Sequence, residues 1–130
     1  MIVLDTHIWL WWIAGNHRQL KTAWRQKIAD ADQVGVSAIS CFEVAWLVQH
    51  GRVALSDPLA LWFDKALSGS GIRLLAITPE IARRAVELPE HHSDPQDRLI
   101  IATTLVQDAL LISADGKFPL YQDLKGRLLP

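Results

Sequence analysis

Apolar residues along this chain fall into two rhythms, and their alternation predicts a repeated strand–helix order. Met1–Leu4 is a short, continuous apolar run of the kind expected for a strand buried on both faces. Gln33–Ser37, Ile72–Ile77 and Ala109–Ser113 read as the second, third and fourth strands. Between them lie longer segments with helical start and stop signals. Asp5-Thr6 can cap a helix that begins near His7, carries Ile8 through Ile13, and stops at Gly15-Asn16. A second helix is expected over about Gln19–Ala29, with Leu20, Ala23, Trp24 and Ile28 on one side. Ile39–His50 is a strongly apolar helix closed by Gly51. Ser56-Asp57-Pro58 opens the next, with Asp57 as cap and Pro58 at the first helical position, and the cluster Ser68–Gly71 ends it. Thr78-Pro79-Glu80 begins a helix through about Leu88. Pro89–Ser93 is a loop, and Asp94-Pro95 starts the helix that reaches about Asp108. A short last strand or extended piece is expected near Leu120–Tyr121.

Strands that alternate with helices predict an α/β fold, a parallel sheet of four to five strands flanked by helices. The 130 residues suit one domain, and a hydrophobic content of 50% is enough for a real core. No repeat or linker divides the chain. In such folds ligands bind outside the carboxyl ends of the strands. Charge changes the picture little: 13 basic against 14 acidic residues give a net −1, which argues against a chain that coats nucleic acid but leaves room for a local basic strip. The one cysteine, Cys41, excludes an intramolecular disulfide and a multi-cysteine zinc site, and reads as a small core side chain. No signal-peptide pattern opens the chain, and no apolar run reaches the roughly 20 residues of a membrane span. The expectation is a soluble cytoplasmic protein.

Four acids carry the candidate chemistry. Asp5 and Asp115 follow the first and fourth strands, Asp97 lies in the first turn of the helix leading into the fourth, and Glu43 stands inside an otherwise acid-free helix. Each has a plain structural reading. Asp5 is a favoured N-cap, Asp97 complements a helix dipole, and Asp115-Gly116 is an ordinary turn dipeptide. Asp94, before Pro95, is itself a natural N-cap. Glu43 is harder to dismiss, because it shares a helix face with Ile39 and Leu47, and a buried carboxylate needs a partner. Folded as strand–helix units, the four acids can converge on one end of the sheet. Clustered carboxylates repel by roughly 4 kcal/mol per close pair at an effective dielectric near 20. A fold that gathers them suggests a divalent cation and metal-dependent phosphodiester chemistry. An all-oxygen set suits Mg²⁺ or Mn²⁺ rather than zinc. His7, His17, His50, His91 and His92 show no paired-histidine helix motif of a zinc hydrolase.

With these residues in place the chain resembles a PIN-domain ribonuclease, specifically the VapC toxins of type II toxin–antitoxin systems. The resemblance runs from residue 1 to about Tyr121. It rests on Met1-Ile2-Val3-Leu4-Asp5-Thr6-His7, the helix Ser37–Val48 with Glu43 inward, the run from His92 through Asp94-Pro95-Gln96-Asp97-Arg98 to Ala102, and Leu111-Ile112-Ser113-Ala114-Asp115. Gln96 stands where relatives often have Phe, and Ser113 where they often have Thr; neither change removes a carboxylate. The resemblance implies a single three-layer PIN domain over residues 1–130, and metal binding and catalysis by Asp5, Glu43, Asp97 and Asp115. It also implies RNA cleavage with one or two Mg²⁺ or Mn²⁺ ions, a VapB-type antitoxin partner, and a homodimer. Asp94, Thr6 and Ser113 are candidates for supporting the ligands.

Arg98 and Lys117, sequence neighbours of the acids, are candidate RNA contacts, while Arg18, Lys21 and Arg25 form a stripe that reads equally as a solvated helix face. Trp9, Trp11 and Trp12 cannot all face one core, since helical neighbours are turned about 100° apart. Some are expected to meet a dimer mate or an antitoxin helix lying in an apolar groove. Two other readings stand beside the nuclease. One is a non-catalytic module that keeps the fold for partner contacts. The other is a phosphoaspartyl-type phosphatase, which usually needs a second Asp where His7 stands.

Overall fold

The computed structural model describes residues 1–90 and 94–130. His91, His92 and Ser93, at the end of the loop expected from Pro89 and at the start of one quoted run, lie outside the described residues. Among the described residues four strands form one parallel sheet: β1 (Ile2–Leu4), β2 (Val34–Ser37), β3 (Ile72–Leu75) and β4 (Leu110–Ile112), in the order β3-β2-β1-β4. The intervening helices are α1 (Thr6–Ala14), α2 (Thr22–Asp30), α3 (Ala38–Gln49), α4 (Leu59–Ala66), α5 (Pro79–Glu87) and α6 (Pro95–Val106). Parallel pairing of β1 with both β2 and β4 requires helical crossovers, and these supply the two outer layers. No helix among the described residues is long and apolar enough to cross a membrane.

The period of two along β1 divides the core. Ile2 and Leu4 pack with Ile8, Trp9, Trp24, Ile28 and Trp62 on one side of the sheet. Val3, between them, packs with Ile100, Ile101, Leu111, Phe118 and Tyr121 on the other. All three β1 residues are buried, so the strand has no solvent face and no polar position. Trp9 is fully buried and donates its indole N–H to the Ala66 carbonyl at the end of α4 (3.0 Å), with the Trp62 ring 4.9 Å away. That bond lets a large polar-edged ring fill the core without an orphaned donor.

Most ends lie where the sequence puts them. Asp5 caps α1 by accepting from the Ile8 N–H, Thr78 caps α5, and Asp94 caps α6 with Pro95 in its first turn. Gly15 closes α1 at φ 66°, where a side chain would be strained. Four expectations need correction. The second helix starts at Thr22 rather than Gln19, because the Asn16 side chain takes the N–H groups of Arg18 and Gln19 into a local turn, and Ala23 is exposed. Asp57 does not cap α4. Pro58 itself is the cap residue, extended at ψ 147°, so the helix begins one residue later and Asp57 pairs with Lys65 at 3.2 Å. The third strand stops at Leu75, two residues short of Ile77. No strand forms at Leu120–Tyr121, where Tyr121 alone is extended (φ −81°, ψ 110°): Phe118, Tyr121 and Leu124 recur every third residue, the period of the 3₁₀ turns observed at Phe118–Leu120 and Gln122–Leu124. Leu128 instead forms an isolated parallel bridge beside Leu111.

Gly35 tests how tightly the sheet is packed. A β-carbon there would lie 2.8 Å from Leu75 Cδ1 and 3.3 Å from the Arg73 carbonyl oxygen. Leu75 is buried and cannot swing away freely. Gly35→Ala should therefore destabilise the fold by about 1–3 kcal/mol, read as a lower urea midpoint at unchanged slope; an unchanged midpoint would show that the β2–β3 face has slack.

Candidate metal and nuclease site

The sheet order decides where a site can form. From β1 the chain builds outward through β2 to β3, then returns to place β4 on the other side of β1. The crevice outside the carboxyl ends of β1 and β4 is therefore the topological switch point, where open α/β sheets bind ligands. The Asp5 N–H donates to the Ile112 carbonyl (3.1 Å), which carries the β1–β4 pairing up to the first acid. Asp5, Glu43, Asp94, Asp97 and Asp115 all line one pocket of about 400 Å³ in this position, together with Thr6, His7, Trp11 and Ala114. Asp5 leaves β1, Glu43 comes from the middle of α3, Asp94 and Asp97 from the start of α6, and Asp115 from just beyond β4.

Hydroxyl groups hold the acids. Thr6 Oγ1 lies 2.9 Å from both Glu43 Oε1 and Ser40 Oγ. A hydroxyl has one proton, and an ionised carboxylate only accepts, so Thr6 donates to Glu43 while Ser40 completes the chain. Ser113 donates to Asp5 Oδ2 in a short hydrogen bond and accepts from the Asp115 N–H at 3.0 Å. Asp5 thus spends one oxygen on the α1 cap and the other on Ser113. Its capping reading and its site reading are both satisfied by the same side chain. Asp94 accepts from the Gln96 N–H (2.9 Å), and Asp115 Oδ1 from the Lys117 N–H (2.8 Å).

The electrostatics follow from burial. Asp5 is only 8% exposed, and desolvation pushes its carboxyl above the ordinary value of 3.8. The bonds from Ser113 and Ile8, and the His7 ring, pull the other way; the Asp115 charge adds to the rise. Burial likewise raises Glu43 above 4.5, opposed by Thr6 and His7 and reinforced by Asp5 and Asp94. Among the described residues no three His, Cys, Asp or Glu side chains form a ready-made metal cage. The donor chemistry nevertheless fits a hard divalent cation, since five carboxylates and the Thr6 hydroxyl make oxygen the prevailing donor, with the His7 ring beside them.

Not every candidate lies here. Arg98 does not line the pocket. Its guanidinium is spent on the carbonyls of Val86 (3.1 Å), Leu88 (2.7 Å) and Pro89 (2.9 Å), where it closes the end of α5. Lys117 is exposed beyond Asp115 and is not part of the wall. Lys21 lies over the Trp24 ring at 4.5 Å, and Arg25 donates to Thr22. Sequence reasoning missed Ser40, considered His7 only as a zinc ligand, and expected Trp11 in the core or at a partner, whereas both line the pocket. Trp11 lies four residues after His7, one helical turn, and that spacing was the available signal.

This geometry meets an independent finding: residues 2–124 match the family model for the PIN domain. The chain is 39% identical over 117 residues to ribonuclease VapC22 of Mycobacterium tuberculosis, an alignment covering 89% of this chain and 88% of that one. The chain belongs to the PIN-domain family, in its VapC branch. Solved structures agree on the fold. One is VapBC2 from Rickettsia felis bound to a promoter DNA fragment, with a TM-score of 0.71 at 18% identity, covering 99% of this chain and 98% of that one. Another is a toxin–antitoxin complex from Klebsiella pneumoniae, with a TM-score of 0.66 at 20% identity, covering 100% and 97%. In this PIN domain the acids sit at the switch point of a sheet that is four-stranded among the described residues.

Two outcomes follow. Because the Asp5 and Glu43 carboxyls hold protons more tightly when folded, their contribution to stability is greatest in acid. It is lost as pH rises from the unfolded values through the raised ones. In EDTA, Asp5→Asn, which preserves a good cap, should melt above the wild type at neutral pH. The gap should close near about pH 4; a gap independent of pH would contradict this origin. Separately, Arg98→Ala should cost about 1.5–3 kcal/mol of stability, the range for hydrogen bonds to charged groups. It should also speed amide exchange at the end of α5; unaltered stability would return Arg98 to the list of free surface charges.

Proposed function

We propose that residues 1–130 form one PIN domain acting as the ribonuclease toxin of a type II toxin–antitoxin system. In this reading it hydrolyses RNA phosphodiester bonds and is neutralised by a VapB-type antitoxin. The observation that carries the reading is the convergence of Asp5, Glu43, Asp97 and Asp115, from four remote segments, on one pocket at the switch point. Kinship with a protein named as a ribonuclease supports it, and the toxin–antitoxin complexes among the structural neighbours support the antitoxin partner.

Asp5, Glu43, Asp97 and Asp115 are the residues that would hold Mg²⁺ or Mn²⁺, whose bound charge lowers the pKa of water and neutralises the phosphate. The rest is work for the protein's own groups. Thr6 and Ser113 fix the Glu43 and Asp5 carboxylates in orientation, so that little reorganisation is needed when substrate arrives. The raised affinity of Asp5 and Glu43 for protons means that cation and proton compete for the same oxygens. Cleavage should therefore fall in acid. On α3, Phe42 and Trp46, one helical turn apart, are 57% and 41% exposed, an apolar surface suited to an antitoxin helix or a second protomer. An RNA substrate places the work in the cytoplasm.

The deciding experiment is incubation of the purified protein with total RNA, with and without EDTA, alongside Asp97→Asn. Wild type should cleave only with Mg²⁺ or Mn²⁺, and should gain thermal stability from Mn²⁺. Asp97→Asn should lose at least about a hundredfold in rate, on the scale of removing an oriented catalytic group, while keeping its fold. Full cleavage by the folded variant, with contaminating nuclease excluded, would defeat the assignment.

A further inference from the structure

The wall of the acidic pocket is poor in hydrogen-bond donors. Asp5, Glu43, Asp94, Asp97 and Asp115 only accept when ionised. The Thr6 hydroxyl has one proton, and Glu43 takes it. Ala114 offers no side-chain donor. Among the described residues of the wall, His7 and Trp11 remain as the side chains that carry an N–H. His7 is exposed, whereas Trp11 is half-buried and packs in part on the core. Both also border a larger, mainly apolar cavity of about 780 Å³ between α1, the α3–α4 connection and α4, so they mark the edge of the acidic space.

A phosphodiester brings acceptor oxygens, and His7 is placed to meet them. It is the second residue of α1, two positions after Asp5. Its ring acts on the Asp5 and Glu43 carboxyls alike, pulling both down against the effect of burial. A ring that reaches both acids stands over the pocket rather than beside one wall. The Trp11 ring, one helical turn on, lies 6.2 Å away at 56° and closes one side of the space in which His7 can turn. Among the described residues neither His7 ring nitrogen is taken up in a hydrogen bond or an ion pair. Neutral imidazole keeps one N–H and the protonated ring two, so a donor is present in either state. The nearby basic side chains do not compete for this role: Arg98 gives its guanidinium to three carbonyls, and Lys117 is not part of the wall. The acids that would hold a cation line the same pocket of about 400 Å³, so the phosphate within reach of His7 is the one at the cation, not its neighbour along the strand.

We infer that His7 is a further catalytic residue of the pocket, its ring N–H donating to a non-bridging oxygen of the phosphodiester being cleaved. The inference rests on the ribonuclease reading of the acidic pocket and deepens it by naming a protein donor among the acids. The ring gives up no proton and forms no bond to phosphorus. It offsets negative charge as that charge gathers on the oxygen in the transition state, where a donor already in place helps most.

The test compares His7→Phe and His7→Gln with wild type. Steady-state cleavage is measured on an RNA oligonucleotide spanning a site mapped in the total-RNA digest, and Mn²⁺ affinity is measured by calorimetry on the same proteins. Phe keeps the ring and its contact with Trp11 but has no N–H; Gln keeps an N–H and loses the ring. His7 is exposed, so both variants should fold, checked by melting. His7→Phe should lower kcat roughly thirtyfold with KM within about twofold, less than the loss of a buried oxyanion donor because the site is open to water. His7→Gln should stay within about fivefold of wild type in kcat, because its amide can still donate. Mn²⁺ affinity should stay within about twofold of wild type in both, which separates the donor from the metal ligands. Equal kcat in the Phe and Gln variants would overturn the inference, since the N–H would then make no difference. So would a raised KM at unchanged kcat, which would put the ring on a flanking phosphate. A loss of about tenfold in Mn²⁺ affinity in His7→Phe would overturn it as well, by making the ring a metal ligand. Absence of metal-dependent cleavage by wild type would instead strike the ribonuclease reading itself.

Discussion

Grouping carboxylates in a half-buried pocket is unfavourable, and the rest of this protein is arranged around that constraint. Hydrophobic burial on both faces of β1 anchors Asp5 at the strand's end, where it is 8% exposed. The parallel partner β4 brings Asp115 beside it, and α3 and α6 add Glu43 and Asp97. None of these placements relieves the repulsion. The core supplies the free energy that holds the acids together, and burial first, with the neighbouring charges adding to it, makes Asp5 and Glu43 bind protons more tightly than a free carboxyl would.

Hydroxyl groups make that arrangement tolerable. Thr6, Ser40 and Ser113 are buried, and all three belong to hydrogen-bond chains that end on Asp5 or Glu43. A hydroxyl can donate to an ionised carboxylate and turn to accept from a protonated one. The supporting layer therefore remains bonded in either protonation state. Asp5 adds a second economy by capping α1 with the oxygen that Ser113 does not use. The same residue closes the strand, starts the helix and faces the pocket.

Positive charge is distributed by a different logic. Arg98 satisfies carbonyls left open at the end of α5, a structural duty that sequence proximity to Asp97 does not reveal. Arg127 pairs with Asp108, and Arg84 with Asp123, both away from the pocket. Arg52 and Lys65 lie far from the acids along the chain but on a cavity that shares the Trp11 wall with them. The pocket acids and these basic side chains are in this way kept on separate walls of a chain whose net charge is nearly neutral.

Much of the architecture was legible in the sequence because its signals are local. The apolar run at β1, the Asp-Pro and Thr-Pro starts of α6 and α5, and Gly15 each act through their own backbone and nearest neighbours. The four acids could be singled out for the same reason, by their positions after strands, in a first helical turn and on an apolar helix face. Where local rules compete, the sequence was less decisive: Asp57 turned to Lys65 instead of capping α4, and the period-three apolar pattern after Phe118 made 3₁₀ turns instead of a strand. Only the tertiary structure decided the order β3-β2-β1-β4, the hydroxyl pairing of Thr6 with Glu43, the diversion of Arg98 and the meeting of two cavities at Trp11. Those are contacts between segments far apart in the chain, set by how helices pack across a sheet, and no property of either segment alone specifies them.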